Sequence, residues 1–437
     1  MNVFIGKQLS LIKFLPVAVA RRLIQQGKVR NRVLGPNAGK AQILVDVSVI
    51  VHGDARTGIQ RVVRALLSQL LCAPPPGYRI CPVFATRQHD YHYAPDFLQL
   101  GANAGPASGR VTVEQGDIFL GLDLAAHLLP RHHAQLSVWK KSGVGVHVVI
   151  YDLLPLKRSD WFNPSTSRNF RRWMRTVALF ADSAICISNA VGTELAEWLV
   201  DCYGFSRETL PIKSIVLGAN IEASVPSTGL PDGSAQLLER LRARPTVLMV
   251  GTLEPRKGHA QALAAFEQLW QEGRELNLVI VGKSGWKTEA LQQRLLNHPL
   301  KQTRVDWLQN ISDEMLKNLY EACSGVLIAS EGEGFGLPVI EAAHYKKPVL
   351  ARDLPVFREI AGEKITYFSG TDAEHLARAV VAWLEGPCSE ERQLDTLSAP
   401  SWQSAANELL TCLGLMPANQ VQPGRSQALP RIQSETV

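Results

Sequence analysis

Gly325-Val-Leu-Ile-Ala329 and the segment that follows it, Ser330-Glu-Gly-Glu-Gly-Phe-Gly-Leu-Pro-Val-Ile-Glu341, leave the backbone few choices. The first run is short, apolar and β-branched, the composition of a strand buried in a parallel sheet. Leu337 to Tyr345 reads as a helix, with Pro338 in its first turn, where a missing N–H costs nothing. Between them Gly334 and Gly336 carry no Cβ, so backbone N–H groups can approach a ligand closely at the positive end of the helix. Such a turn is an anion site. Glu333 at its mouth and Glu341 about one helical turn inside can face one crevice. A phosphate does not want carboxylates against its oxygens, but the adjacent hydroxyls of a ribose or hexose donate two hydrogen bonds to one. The combination points to a nucleotide sugar. The plainer alternative is a capped helix with a glutamate in its first turn.

The same strand-and-helix grammar runs through the chain. Strands are expected at 42–47, 79–84, 117–122, 144–151, 183–187 and 213–217, and helices from Gly58, over 167–180 and after Ser188-Asn189. Thr57 and Ser188 are suitable N-caps. Asp152 stands just past the strand 144–151, at the carboxyl edge where open α/β sheets bind ligands. Arg56 and Arg61 lie where they could approach acceptor or phosphate. A Pro/Ser/Gly-rich stretch then divides the chain. The expected organisation is a basic extension (1–41), a first domain (42–222), a linker (223–240), a second domain (241–400), a final helix (401–416) and an unstructured tail (417–437).

The second half opens with the strand Thr246–Val250 and the loop Gly251-Thr-Leu-Glu-Pro-Arg-Lys-Gly258, before a helix from about His259. Arg256 and Lys257 put two cations at a helix start, against the helix dipole. A diphosphate neighbour accounts for them, since arginine grips two oxygens and lysine supplies a point charge; the alternative is two solvated basic residues. Further strands are expected at 276–281, 305–308 and 348–351, with helices at 311–320, 371–384 and 402–415. Lys283 follows the first of these strands and could touch phosphate, while Trp286 reads as a packing residue.

The residues EGFGLPVIE, Glu333 to Glu341, match without a gap the E-x7-E signature of retaining GT-B glycosyltransferases, the large family that includes bacterial mannosyl- and other hexosyltransferases. The resemblance extends over most of residues 42–415. It implies an α/β, GT-B fold: two Rossmann-like domains facing a cleft, with the C-terminal helix crossing back to the first domain. The second domain would hold a nucleotide diphosphate sugar as donor substrate, with no other cofactor and no metal. The first would hold a glycan or lipid-linked acceptor. By resemblance the catalytic set is Glu333, Asp152, Arg256 and Lys257, and the donor lies along Gly334, Phe335, Gly336, Leu337, Glu341, Lys283 and the loop at Gln309. Glu333 would position the sugar hydroxyls, Glu341 the ribose, and the cations the diphosphate. Two departures from the family pattern stand out. Tyr151-Asp152 replaces its usual histidine and acid, and Thr252 stands where an arginine is common. The expected reaction is transfer of a mannose-like hexose with retention, in surface polysaccharide synthesis. A nucleotide-sugar epimerase and a non-catalytic scaffold of an assembly complex are the alternatives.

Composition narrows the setting. A chain of 437 residues, 46% hydrophobic, has room for two cores. Seven cysteines without a C-x-x-C pair suit a reduced, cytosolic environment. The histidine pair His132-His133 reads as a solvated helix face. No apolar run reaches the ~20 residues of a membrane span, and Lys13 and Pro16 spoil Leu9–Ala20 as a signal peptide. Residues 1–40 carry eight lysines and arginines and no acid, interleaved with apolar residues. Such a segment fits an anionic membrane surface at its inner face or is a flexible extension, with Pro16 dividing any helix in two. A formal charge of +6 names no nucleic-acid partner.

Overall fold

The computed structural model describes residues 15–26, 40–54, 57–98, 108–206, 208–218, 227–386 and 400–417. Two sheets organise them. The first has seven strands in the order β3-β2-β1-β4-β5-β6-β7, namely β1 (Ala41–Asp46), β2 (Tyr78–Phe84), β3 (His92–Tyr93), β4 (Ile118–Gly121), β5 (Gly145–Ile150), β6 (Ser183–Cys186) and β7 (Ile212–Ser214). All pairings are parallel except that of β3 with β2 at the edge. The second sheet has six parallel strands in the order β10-β9-β8-β11-β12-β13. They are β8 (Thr246–Val250), β9 (Asn277–Val281), β10 (Val305–Leu308), β11 (Gly325–Ile328), β12 (Val349–Arg352) and β13 (Thr366–Phe368). In each sheet the order reverses beside the first strand of the lobe, which opens a ligand crevice at the carboxyl ends.

The apolar runs become central strands because helices cover both faces; β1, β4, β6, β9, β11 and β12 are buried at every residue. The helix Gly58–Cys72 starts with a capping box in which Thr57 and Gln60 serve each other's backbone. The last described helix, Trp402–Cys412, lies on this Gly58 helix, with Trp402, Leu409 and Leu410 in the core of the first lobe. Gly218 makes room for it: a Cβ there would stand 2.5 Å from the Trp402 nitrogen.

Several expectations need revision. Ser234–Arg242, which begins inside the span read as linker and runs past its end, is a helix that buries Leu238 and Leu241 in the second core; the turn-forming residues stop at Gly233, whose φ of 78° suits glycine. Residues 219–226 lie outside the described residues. The basic N-terminal segment is partly built into the first lobe, since the helix Val17–Gln26 buries Val17 and Ala20. Its Arg21 donates to the carbonyls of Ala178 and Ala181, 2.8 Å each, and of Thr209 at 3.0 Å. The first two are carbonyls around the end of helix Pro164–Phe180, where the helix supplies no N–H partner. The rest of the expected membrane segment, 1–14 and 27–39, lies outside the described residues, as does nearly all of the expected tail.

His132 and His133 are not a solvated face. His132 is buried with Nε2 3.0 Å from the Thr86 carbonyl, and His133 Nε2 lies 2.8 Å from the Thr176 hydroxyl. Among the described residues, no helix is long and apolar enough to cross a membrane, and no group of three or more His, Cys, Asp or Glu is placed to hold a metal ion.

Candidate active site

The cleft between the lobes has a volume of about 1270 Å³ and is lined from both sides. Arg61, Arg87, His127, Asp152, Asn163 and Asn169 come from the first lobe; Lys283, Asn310, Asp313 and Glu341 come from the second, with the loops that carry Arg256, Lys257 and Glu333.

Two tight turns bring the charged loops together. Gly258, with φ at 70°, lies against the end of β11, and a Cβ there would stand 2.3 Å from the Ala329 oxygen. The Glu331 N–H donates to the Arg256 carbonyl at 2.7 Å. Sequence segments about 76 residues apart thus become one wall. Lys257 Nζ is 2.6 Å from Glu333 Oε1 and Arg256 Nη1 is 3.1 Å from Glu333 Oε2. The Ser330 hydroxyl donates to Glu333 at 2.7 Å, and Arg256 also donates to Glu254 at 2.8 Å and to the Gly332 carbonyl at 3.0 Å. Burial opposes ionisation of Glu333, but Lys257 and Arg256 outweigh it and hold the carboxyl at about 2. Burial opposes the charge on Arg256 as well, and Glu333 and Glu254 more than restore it. His259, buried one residue beyond the turn, is pushed down to about 3 by burial and then by Lys257, so its ring is neutral.

Asp152 stands opposite on the first lobe, its Oδ1 accepting the Leu154 N–H at 3.0 Å. Burial raises its pKa, the Arg256 charge opposes this, and Glu333 and Glu254 add to the rise. Tyr151, in the place of the family's histidine, turns its hydroxyl to the Leu122 carbonyl at 2.7 Å, a packing role rather than an acid–base one.

The glycine turn also meets the other lobe. A Cβ on Gly334 would stand 1.9 Å from the Tyr151 oxygen, so close approach of the first lobe by itself requires glycine here. The Ser188 hydroxyl, which caps the Asn189–Tyr203 helix through the Val191 N–H, donates to the Gly334 carbonyl at 2.7 Å. Gly336 has φ at 102° and lies against the Phe357 ring, Phe335 is buried, and Leu337 lines the cleft. Trp286 bridges the lobes, donating to the Trp161 carbonyl at 2.7 Å beside the Phe162 ring.

Glu341 faces the same cleft, 2% exposed, with both oxygens engaged. Tyr320 donates to Oε2 at 2.6 Å and Arg61 of the first lobe pairs with Oε1. Arg61 also reaches Asp313 at 3.2 Å. Lys283 lines the cleft, whereas exposed Gln309 does not; its neighbours Leu308, Asn310 and Ile311 do. Gln309 Oε1 instead accepts the Ser284 N–H at 3.3 Å. The sequence reading missed Tyr320, Asp313, Glu254 and Ser330. Only Ser330 and Glu254, sitting inside the two charged loops, carried a visible signal. Arg56 lies outside the described residues.

Two Rossmann-like lobes with paired carboxylates and cations at their junction form a GT-B arrangement, a fold that comparison with solved structures supports. Residues 238–396 match the family described as glycosyl transferases group 1. That match falls on the second lobe. The chain is 44% identical over 352 residues, 78% of its length, to the serotype-specific mannosyltransferase WbdA of Escherichia coli, and the match spans 42% of that relative. Sucrose-phosphate synthase from Thermosynechococcus elongatus shares the fold at 18% identity and a TM-score of 0.61, over 86% of this chain and 98% of that one. Anabaena HepE in complex with UDP-glucose does so at 16% identity and a TM-score of 0.55, over 86% and 96%.

Proposed function

We propose that this chain transfers a mannose-like hexose from a nucleoside diphosphate sugar to a glycan or lipid-linked saccharide, in the synthesis of a surface polysaccharide. The observation that carries the proposal is the convergence of Arg256, Lys257 and Glu333 at one end of a cleft that also holds Glu341. The spacing suits one molecule bearing a diphosphate, a sugar and a ribose. Identity to WbdA supports mannose, and the complex of HepE with UDP-glucose supports a nucleotide-sugar donor.

In this reading the diphosphate leaves toward Arg256, Lys257, Lys283 and the N–H groups of the Gly334–Leu337 turn. Its developing charge is met there by fixed donors, and no metal ion is required. Glu333, held ionised, faces the developing positive charge at the anomeric carbon and orients the sugar hydroxyls. The acceptor hydroxyl, held near Asp152, attacks on the face that the diphosphate vacates, the anomeric carbon–phosphate oxygen bond breaking as the new carbon–oxygen bond forms and the hydroxyl proton passing to the departing diphosphate. The configuration is kept, and no enzyme nucleophile takes part. Glu341 takes the ribose and the strip Leu308–Ile311 the base.

The test is a thermal-shift screen of GDP-, UDP- and ADP-sugars, followed by product analysis with and without saccharide acceptor. One donor should raise the melting temperature by mass action and yield an acceptor longer by one hexose. An epimerised donor formed without acceptor, or binding with no turnover, would sink the proposal.

A further inference from the structure

We propose that Arg61 occupies the ribose seat in the ligand-free protein, so that donor binding and release of the Arg61–Glu341 bridge are one event. The inference rests on the donor reading above and adds a residue of the first lobe to donor selection.

Arg61 leaves the first turn of the Gly58 helix, crosses the cleft and reaches two carboxylates of the second lobe, Glu341 and Asp313. Each acid keeps a partner on its own side. Tyr320 holds Glu341 Oε2, and the Ser227 N–H and hydroxyl hold Asp313 Oδ2 at 2.9 Å each. Arg61 alone among these partners belongs to the first lobe, and it covers the oxygen that Tyr320 leaves free. With Glu341 only 2% exposed, a hydroxyl reaches that oxygen only when Arg61 withdraws. Burial disfavours the guanidinium charge, and Glu341 and Asp313 restore it. The arginine is therefore a firmly held ion that a ligand must displace, against a cost set by a largely buried pair. A ribose hydroxyl can replace it because it donates to the same Glu341 oxygen that one guanidinium nitrogen holds, while the other nitrogen reaches Asp313. A nucleotide without such hydroxyls has no reason to move it. Arg61 is thus a positioning residue that makes ribose recognition by Glu341 conditional on loosening one contact between the lobes. The Ser188–Gly334 and Trp286–Trp161 contacts do not involve Glu341 and stay in place.

The experiment is calorimetric titration of wild type, Arg61→Gln and Arg61→Lys with GDP, UDP and ADP, each beside its 2′,3′-dideoxy counterpart. Arg61→Gln should bind the preferred ribonucleotide about tenfold more tightly, ~1.4 kcal/mol, and leave the dideoxy nucleotide within about twofold of wild type. Arg61→Lys, which keeps the charge but loses the fork, should tighten ribonucleotide binding about threefold; it carries the test if the glutamine variant does not fold. Unchanged or weaker ribonucleotide binding, or equal changes for both nucleotides, would overturn the inference while leaving the donor reading intact. Failure of wild type to bind any of the nucleotides would remove both.

Discussion

Replacing Glu333 by glutamine removes the negative charge on which the second lobe's cation pair rests. Lys257 at 2.6 Å and Arg256 at 3.1 Å would then lose their common partner, with Glu254 still bonded to Arg256 and Asp152 still acting on it through its charge. All three side chains are at most 15% exposed, and removing one partner from a buried ionic group costs about 3–5 kcal/mol. Glutamine keeps a carbonyl for the Ser330 hydroxyl, so the lower end, about 3 kcal/mol, applies. For a domain of this size that is a fall of roughly 6–12 °C in melting temperature. The functional consequence has the opposite sign. In wild type Glu333 pairs with both cations while Glu254 and Asp152 act on Arg256, whereas the variant takes from Lys257 its carboxylate partner and offers that cation to the diphosphate. Nucleoside diphosphates should therefore stabilise Glu333→Gln more than wild type, with affinity about tenfold higher, while hexose transfer falls at least a hundredfold. Differential scanning fluorimetry of both proteins with and without GDP, UDP and ADP, together with a transfer assay, measures all three. A variant melting with wild type, or one stabilised equally by nucleotide, would refute the reasoning.

The same group has a pH signature. The folded carboxyl of Glu333 lies at about 2, below its ordinary 4.5, so its contribution is complete above about pH 4.5 and is lost as pH falls from there toward 2. The gap in melting temperature between wild type and Glu333→Gln should be constant from pH 7 to 5 and narrow below. Glu341→Ala should weaken nucleotide binding about tenfold or more by calorimetry, from lost hydroxyl contacts. Gly334→Ala places a methyl 1.9 Å from the Tyr151 oxygen; it should lower stability by about 1–3 kcal/mol and slow transfer, read by chemical unfolding and a rate assay. Arg21→Ala strands the Ala178 and Ala181 carbonyls and should cost about 2 kcal/mol in urea unfolding, showing that the N-terminal helix belongs to the lobe.

Much of the fold was legible because parallel strands announce themselves. Gly325–Ile328 and Val247–Val250 are apolar throughout, and helices such as Asp313–Ala322 carry both a cap and a stripe. The helix Ser234–Arg242 was hidden because it begins directly after punctuation that also suits a linker. The helix Val17–Gln26 misled because Arg21 looks like a surface charge until the carbonyls it serves are in place. Within the site, Arg256, Lys257 and Glu333 could be grouped because each sits in a recognisable loop at a strand end. The pairing of Arg61 with Glu341 could not, since the two are 280 residues apart on different lobes and nothing local marks an arginine as crossing a cleft. The loop at Gln309 was expected beside the donor, and its residues Leu308, Asn310 and Ile311 line the cleft while the Gln309 side chain turns to the Ser284 N–H.

The most direct measurement is mass spectrometry of a saccharide acceptor incubated with the purified protein and the donor that stabilises it best. Growth of the acceptor by one hexose with wild type, abolished in Glu333→Gln and restored at high donor concentration in Glu341→Ala, is the predicted result. Growth that is indifferent to both substitutions would show that transfer does not pass through this cleft.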